Sequence, residues 1–249
     1  MSDVLEVRGL TKSFGGFTAV EDVDVAVADG AIHAVIGPNG AGKTTLFGLL
    51  TGRHVPTRGQ VRLCGRDVTG VRTHRVARAG LVQVFQMTNV YPRLSVIDSV
   101  RMALLAGTRR TTSLWRRPGR AVGEEAQTLL GEVGLDGLAD REAGALSHGD
   151  QRALELALAL ASRPRVLLLD EPTAGMSPYE TERMVALVRD LKASRGITVV
   201  LSEHDMDVVF NVSDVVTVLH RGRVIKEGQP EEIATDDEVI AVYLGGEGG

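Results

Sequence analysis

Apolar and polar positions alternate in "VLEVRGL" and "VEDVDVAV" near the start of the chain, the period-two pattern of strands with one buried face. Gly30 ends the second of these, and "AIHAVIG" follows as a shorter, more continuously apolar strand. A glycine-rich turn then leads into "KTTLFGLLTG", which reads as a helix closed by Gly52. "GQVRLCG" predicts another strand, with Cys64 as a small buried apolar residue, and "LVQVF" (81–85) one more.

From Met87 to about Pro164 the pattern becomes helical. "SVIDSVRMALLA" opens with Ser95 as an N-cap and Asp98 in the first turn. "GRAVGEEAQTLLGEVG" is a second amphipathic helix, and between the two lies the basic, turn-rich "GTRRTTSLWRRPG". In "LSHGDQRALELALAL" leucines fall at every second position, as in a strand. The interleaved alanines and the length predict a buried helix instead. Strands return at "RVLLLDEP" and "ITVVLSEH", then "SDVVTVLHRGRVIKEG" reads as a hairpin turning at "HRGR". "PEEIATDDEVIAVYLG" predicts one short closing helix. Strands alternating with helices imply an α/β protein with a parallel sheet, into which residues 87–164 are inserted.

Composition narrows the function classes. The chain has 249 residues, 43% hydrophobic and 24% charged, with net charge −4, which gives no sign of a nucleic-acid binder. A single cysteine excludes disulfide scaffolds and cysteine-rich metal sites. "MSDVLEVRGL" has neither the basic nor the apolar region of a signal peptide, and no run supplies the roughly 18 apolar residues of a membrane span. A cytoplasmic protein that does not itself cross a membrane is expected.

Two motifs carry chemistry. "GPNGAGKTT" (Gly37, Pro38, Asn39, Gly40, Ala41, Gly42, Lys43, Thr44, Thr45) fits the phosphate-loop pattern between a buried strand and a helix. Its glycines let backbone N–H groups surround phosphates, and the helix N-terminus adds partial positive charge. Lys43 can reach the β- and γ-phosphates, and the Thr44 hydroxyl can ligate Mg²⁺. "VLLLDEP" ends an apolar strand in Asp170, a carboxylate able to hold Mg²⁺, beside Glu171, which can polarise a water. Without a phosphate loop, that pair would read equally well as an acidic helix cap.

Residues 37–45, 146–150 and 166–171, with Gln86 and His204 each following a strand, resemble the ATP-binding-cassette (ABC) ATPases in order and spacing over nearly the whole chain. The resemblance implies a RecA-like P-loop NTPase core with an N-terminal antiparallel β subdomain and an inserted α-helical subdomain. It implies one domain over 1–249, with 1–86 and 165–249 as core and 87–164 as the helical part. Phe14 matches the aromatic that stacks on adenine, with Phe17 as competitor and a core phenylalanine as the other reading. Gln86 matches the glutamine that approaches Mg²⁺ and the attacking water, and His204 the histidine that contacts the γ-phosphate. The family's "LSGGQ" signature, which binds the γ-phosphate of a dimer partner's nucleotide, is here "LSHGDQ". Ser147 and Gly149 are kept, His148 replaces a glycine, and Asp150 stands in the usual Gln or Glu position. A second departure is Ser177, where the family's D-loop usually has Asp.

"AGMSP", the basic insertion and the ending "VIAVYLGG" resemble the ATPases of branched-chain amino acid and urea importers. The function implied is an ATP-hydrolysing subunit, with ATP and Mg²⁺ as cofactors. It would work on the inner face of the plasma membrane with a second ABC ATPase subunit, a transmembrane permease and, indirectly, a solute-binding protein. An unlike second subunit is favoured over an identical one. An ABC exporter ATPase and a soluble, non-transport ABC ATPase are the alternatives. Nucleic acid is not an expected partner. The arginines of the insertion (Arg109, Arg110, Arg116, Arg117, Arg120) read as a solvated loop ahead of a lipid or permease contact.

Overall fold

The computed structural model of the chain describes residues 3–84, 91–107 and 119–244. Its strands are β1 (Asp3–Phe14), β2 (Phe17–Ala28), β3 (Ile32–Ile36), β4 (Arg58–Leu63), β5 (Arg66–Asp67), β6 (Leu81–Val84), β7 (Val166–Asp170), β8 (Thr198–Ser202), β9 (Val215–His220) and β10 (Arg223–Gly228). Its helices are α1 (Lys43–Leu50), α2 (Thr73–Ala79), α3 (Val96–Gly107), α4 (Arg120–Glu132), α5 (His148–Leu160), α6 (Pro178–Arg195), α7 (Met206–Val212), α8 (Pro230–Ala234) and α9 (Asp237–Leu244). The chain forms two compact units, one of residues 1–83, 165–172 and 188–249, the other of 84–164 and 173–187. The basic insertion lies outside the described residues apart from Arg120, and so does Gln86.

In the first unit, β1 and β2 form a long hairpin within an antiparallel sheet of order β2-β1-β4-β5. A second sheet has the order β10-β9-β3-β8-β7-β6, with β3, β7, β8 and β9 running parallel. All five residues of β3 and of β8 are buried, which explains why these strands read as nearly unbroken apolar runs. The register pairs Val35 with Ser202 and Asp170 with Ser202. The carboxyl ends of β3, β8 and β7 therefore meet at one edge, where open α/β sheets bind ligands. One core joins both sheets to α1, including Leu10, Val23, Phe47, Leu63, Leu168 and Leu219.

The second unit packs α3, α4 and α5 on one another. Ser95 Oγ accepts from the Asp98 amide, so the predicted cap is present. In α5, Leu154, Leu156 and Leu160 are all buried together with Ala153, Ala157 and Ala159. A helix covered on most sides needs no single apolar stripe, which is why strand-like spacing could sit on a helix.

Two expectations change. Cys64 is exposed, because it sits at the β4–β5 turn with φ 48° and points away from the core. The closing helix is two, α8 and α9, interrupted at Asp236, whose Oδ1 accepts from the Glu238 and Val239 amides and starts a new helix. The short elements β5 and α2 escape the hydrophobic pattern altogether. Among the described residues, no helix is long and apolar enough to cross a membrane.

Phe47 is fully buried at the centre of the core under α1. Phe47→Ala should cost about 3–5 kcal/mol by the usual transfer and cavity terms. Denaturant unfolding would check this, and a loss under 1 kcal/mol would contradict the packing.

Candidate functional site

The loop after β3 is shaped by glycines that other residues could not replace. Gly37, Gly40 and Gly42 have φ of 148°, 79° and 107°, all in the region that side chains avoid. A β-carbon on Gly37 would stand 2.1 Å from the Leu219 carbonyl oxygen, and one on Gly42 would stand 2.6 Å from that of Ala19. On Gly40 it would meet nothing within 4 Å. Two glycines thus let the loop press on its own protein, while the third turns toward open space. The Gly222 amide donates to Ala41 O at 2.8 Å and fixes the loop from the β9–β10 turn.

Lys43, the first residue of α1, is buried, and its Nζ donates to Gly37 O at 2.5 Å and Pro38 O at 3.3 Å. Burial lowers the pKa of this ammonium, while the nearby carboxylates of Glu171 and Asp170 pull it back up. Thr44 and Thr45 follow in the first turn of α1, with Thr44 exposed. The first amides of this helix have no side-chain cap, so they remain available to an anion.

Asp170 and Glu171 arrive at the same sheet edge. Asp170 Oδ1 accepts from Ser202 Oγ at 2.7 Å, and Gln83 Nε2 lies 3.5 Å from Oδ2. Glu171 has φ 52°, held there by its amide donating to Ser202 O at 3.1 Å. This left-handed turn separates the two carboxylates in direction, and Glu171 Oε1 meets His204 Nε2 at 2.5 Å. A carboxylate only accepts, so that ring nitrogen carries the hydrogen.

A cavity of about 830 Å³ opens over the loop, lined by Gly37–Ala41, His204, Arg221 and Tyr243. This falls in the size range of small-molecule sites. Burial pushes the Tyr243 phenol up to about 12. In the first unit Lys43 thus lies in the field of Asp170 and Glu171, Glu171 meets His204, and Thr44 follows Lys43 on α1. Sequence reasoning missed Ser202, an unremarkable hydroxyl at the end of an apolar strand. It also used Tyr243 only as part of a terminal pattern.

Phe14 and Phe17 face each other across the tip of the β1–β2 hairpin. They are 44% and 67% exposed, so neither is a core residue. Lys12 Nζ lies 4.8 Å from the Phe14 ring centre, and the His54 ring stands nearly perpendicular to that of Phe14 with ring centres 5.4 Å apart.

In the second unit, Ser147 is the N-cap of α5 and accepts from the Asp150 amide, while its hydroxyl donates to Asp150 Oδ2 at 2.9 Å. Gly149 lies in the first turn of the same helix.

Comparison with known proteins identifies the class these features define. The ABC transporter family profile matches residues 20–174. The chain is 41% identical to the high-affinity branched-chain amino acid transport ATP-binding protein BraF of Pseudomonas aeruginosa, over 97% of this chain and 98% of that protein. It is 38% identical to LivG of Escherichia coli K12, named for the same transport, with the same coverage. It is 39% identical to the lipopolysaccharide export system ATP-binding protein LptB of Acidithiobacillus ferridurans, over 98% of both. Among solved structures, the ADP conformation of MJ1267, an ATP-binding cassette of an ABC transporter, superposes with TM-score 0.88 at 30% identity, covering 98% of this chain and 100% of that one. The protein belongs to the ABC transporter family and is one of its ATPases, with the RecA-like P-loop fold.

The glycine geometry gives a graded expectation. A β-carbon in left-handed backbone costs about 1–2 kcal/mol by itself, so Gly40→Ala should lose roughly that much. Gly37→Ala and Gly42→Ala should lose more, because each also meets a backbone oxygen. Urea unfolding of the three variants would check the order, and equal losses would reject it.

Proposed function

We propose that this protein hydrolyses ATP to drive import of branched-chain amino acids, or closely related small solutes, through a membrane permease. The observation that carries the reading is the gathering of Lys43, Asp170, Glu171 and His204 at one sheet edge beside the glycine loop. The solute class rests on the full-length likeness to BraF and LivG. The likeness to LptB supports an exporter ATPase as the second reading.

In this proposal the amides of Gly37–Thr45 and the N-terminus of α1 hold the nucleotide phosphates. Lys43 exchanges its two loop carbonyls for phosphate oxygens. Thr44 and Asp170 hold Mg²⁺, with Gln86 as a further ligand. One hydroxyl and one ordered carboxylate are too few donors for a resident ion, and among the described residues no group of three or more acidic, histidine or cysteine side chains is placed to hold a metal. That donor set fits an ion that arrives with the triphosphate. Bound there, Mg²⁺ would neutralise developing charge on the phosphate oxygens. Glu171 polarises the attacking water, and His204 releases its contact with Glu171 to reach the γ-phosphate. Phe14 stacks on adenine. Residues 87–164 serve as the helical subdomain, and the Ser147–Gly149 turn completes the site of a second, preferably unlike, ABC ATPase subunit. The assembly works on the cytoplasmic face of the plasma membrane, supplied by a solute-binding protein.

Glu171→Gln should bind ATP normally but lose most hydrolysis, while Lys43→Ala should weaken binding itself. ATP affinity and phosphate release measured on both variants separate these outcomes, and near-normal turnover by Glu171→Gln would sink the assignment. In the reconstituted transporter, wild-type turnover should rise with leucine, isoleucine or valine. A response to lipopolysaccharide instead would favour the export reading.

Stacking of a base on an aromatic ring is worth about 1–3 kcal/mol. Phe14→Ala should therefore weaken ATP binding roughly ten- to a hundredfold. A larger effect from Phe17→Ala would mean that the other ring of the hairpin tip does the stacking.

A further inference from the structure

Two of the departures from the family pattern, His148 and Ser177, lie about one carboxylate that belongs to neither motif. Glu180 sits in the first turn of α6, in the same compact unit as the turn that opens α5. Its Oε1 accepts from the Gly149 amide at 3.2 Å. Its Oε2 accepts from the Ser177 amide at 3.0 Å and from the Ser177 hydroxyl at 2.8 Å. A β-carbon on Gly149 would stand only 2.9 Å from Oε1, so the carboxylate comes this close only because residue 149 is glycine.

The substitutions fit this bridge. An aspartate at 177 would set a second carboxylate against Glu180, whereas the serine side chain supplies a hydroxyl donor. The His148 ring packs near Gly175, 3.9 Å from where its β-carbon would be, and its charge when protonated favours the anion. The amide and hydroxyl of Ser177, then the Gly149 amide, hold the Glu180 carboxyl below its usual range. The group is therefore an anion at neutral pH, resting on the amide of the signature turn that the family uses for a phosphate.

We propose that Glu180 is a positioning residue that ties the Gly149 amide to Ser177 in the resting subunit, and that the γ-phosphate of the partner's ATP displaces it from Gly149. This rests on the reading that the Ser147–Gly149 turn completes a partner's nucleotide site. One N–H cannot donate fully to two anions, so closure must pull the carboxylate off Gly149. The bridge then sets how much ATP closure requires, without touching the chain's own nucleotide. Ser177, three residues before Glu180, keeps its own bonds to Oε2 when Gly149 is released.

Two measurements test the bridge and the displacement separately. In the isolated chain, Glu180→Ala should speed amide hydrogen exchange at Gly149 and at Ser177 together, and an unchanged rate at either would overturn the bridge. In the purified transporter, carrying Glu171→Gln so that closure persists, the ATP concentration for half-closure can be read by energy transfer between labelled cassettes. Glu180→Gln in this chain should lower it roughly three- to tenfold, the scale of one net hydrogen bond, with ATP affinity of the isolated chain unchanged. A requirement for equal or more ATP would reject the displacement. Failure of the unmodified Glu180 complex to close with ATP would instead reject the shared-site reading, and the displacement with it. The exchange result would still judge the bridge.

Discussion

The site depends on three parallel strands ending in register. Pairing of Val35 and of Asp170 with the same residue, Ser202, brings segments distant in the chain to one sheet edge. A slip of one residue in any of these strands would turn its side chains to the opposite face. Close packing of the buried β3, β7 and β8 side chains on both faces opposes that slip. Register is thus the condition on which phosphate loop, acidic pair and histidine share one place. The glycines and Ser202 then refine positions that the sheet has already set.

That refinement is economical. Ser202 accepts at its backbone, donates from its side chain, and so controls both members of the acidic pair. Asp170 is drawn back toward the sheet, while Glu171 is turned by its left-handed backbone toward His204. Adjacent carboxylates of similar intrinsic acidity are thereby given different surroundings, which is how neighbouring acids come to hold different tasks.

How much of this was legible in the sequence depended on whether the determining pattern was local. The glycine loop and the strand ending in Asp170 were readable because spacing alone fixes their geometry. The helix at 148–160 was readable from alanine content and length, despite its strand-like leucines. Cys64 was misread because an alternating pattern carries no mark of where a strand gives way to a turn of positive φ. The break between α8 and α9 was written in "TDDE", a capping signal overlooked beside apolar residues that suggested one continuous helix. Exposure of Phe14 and Phe17 was undecidable, since a hairpin tip and a core strand can share the same residues. Ser202, Tyr243 and Glu180 gave no signal, because their importance comes from partners distant in sequence or lying on another element.

Lys43 shows what such a structure implies for selectivity. Its ammonium already has two carbonyl partners and sits in the field of two carboxylates. Engaging a phosphate is therefore a trade of partners, and the net gain is far smaller than the attraction between a bare cation and an anion. On the proposed function, a ligand must carry enough negative charge to replace these two carbonyls at Lys43, which disfavours neutral solutes there. In that reading the lysine acts as a threshold on anionic charge, set by the backbone that holds it.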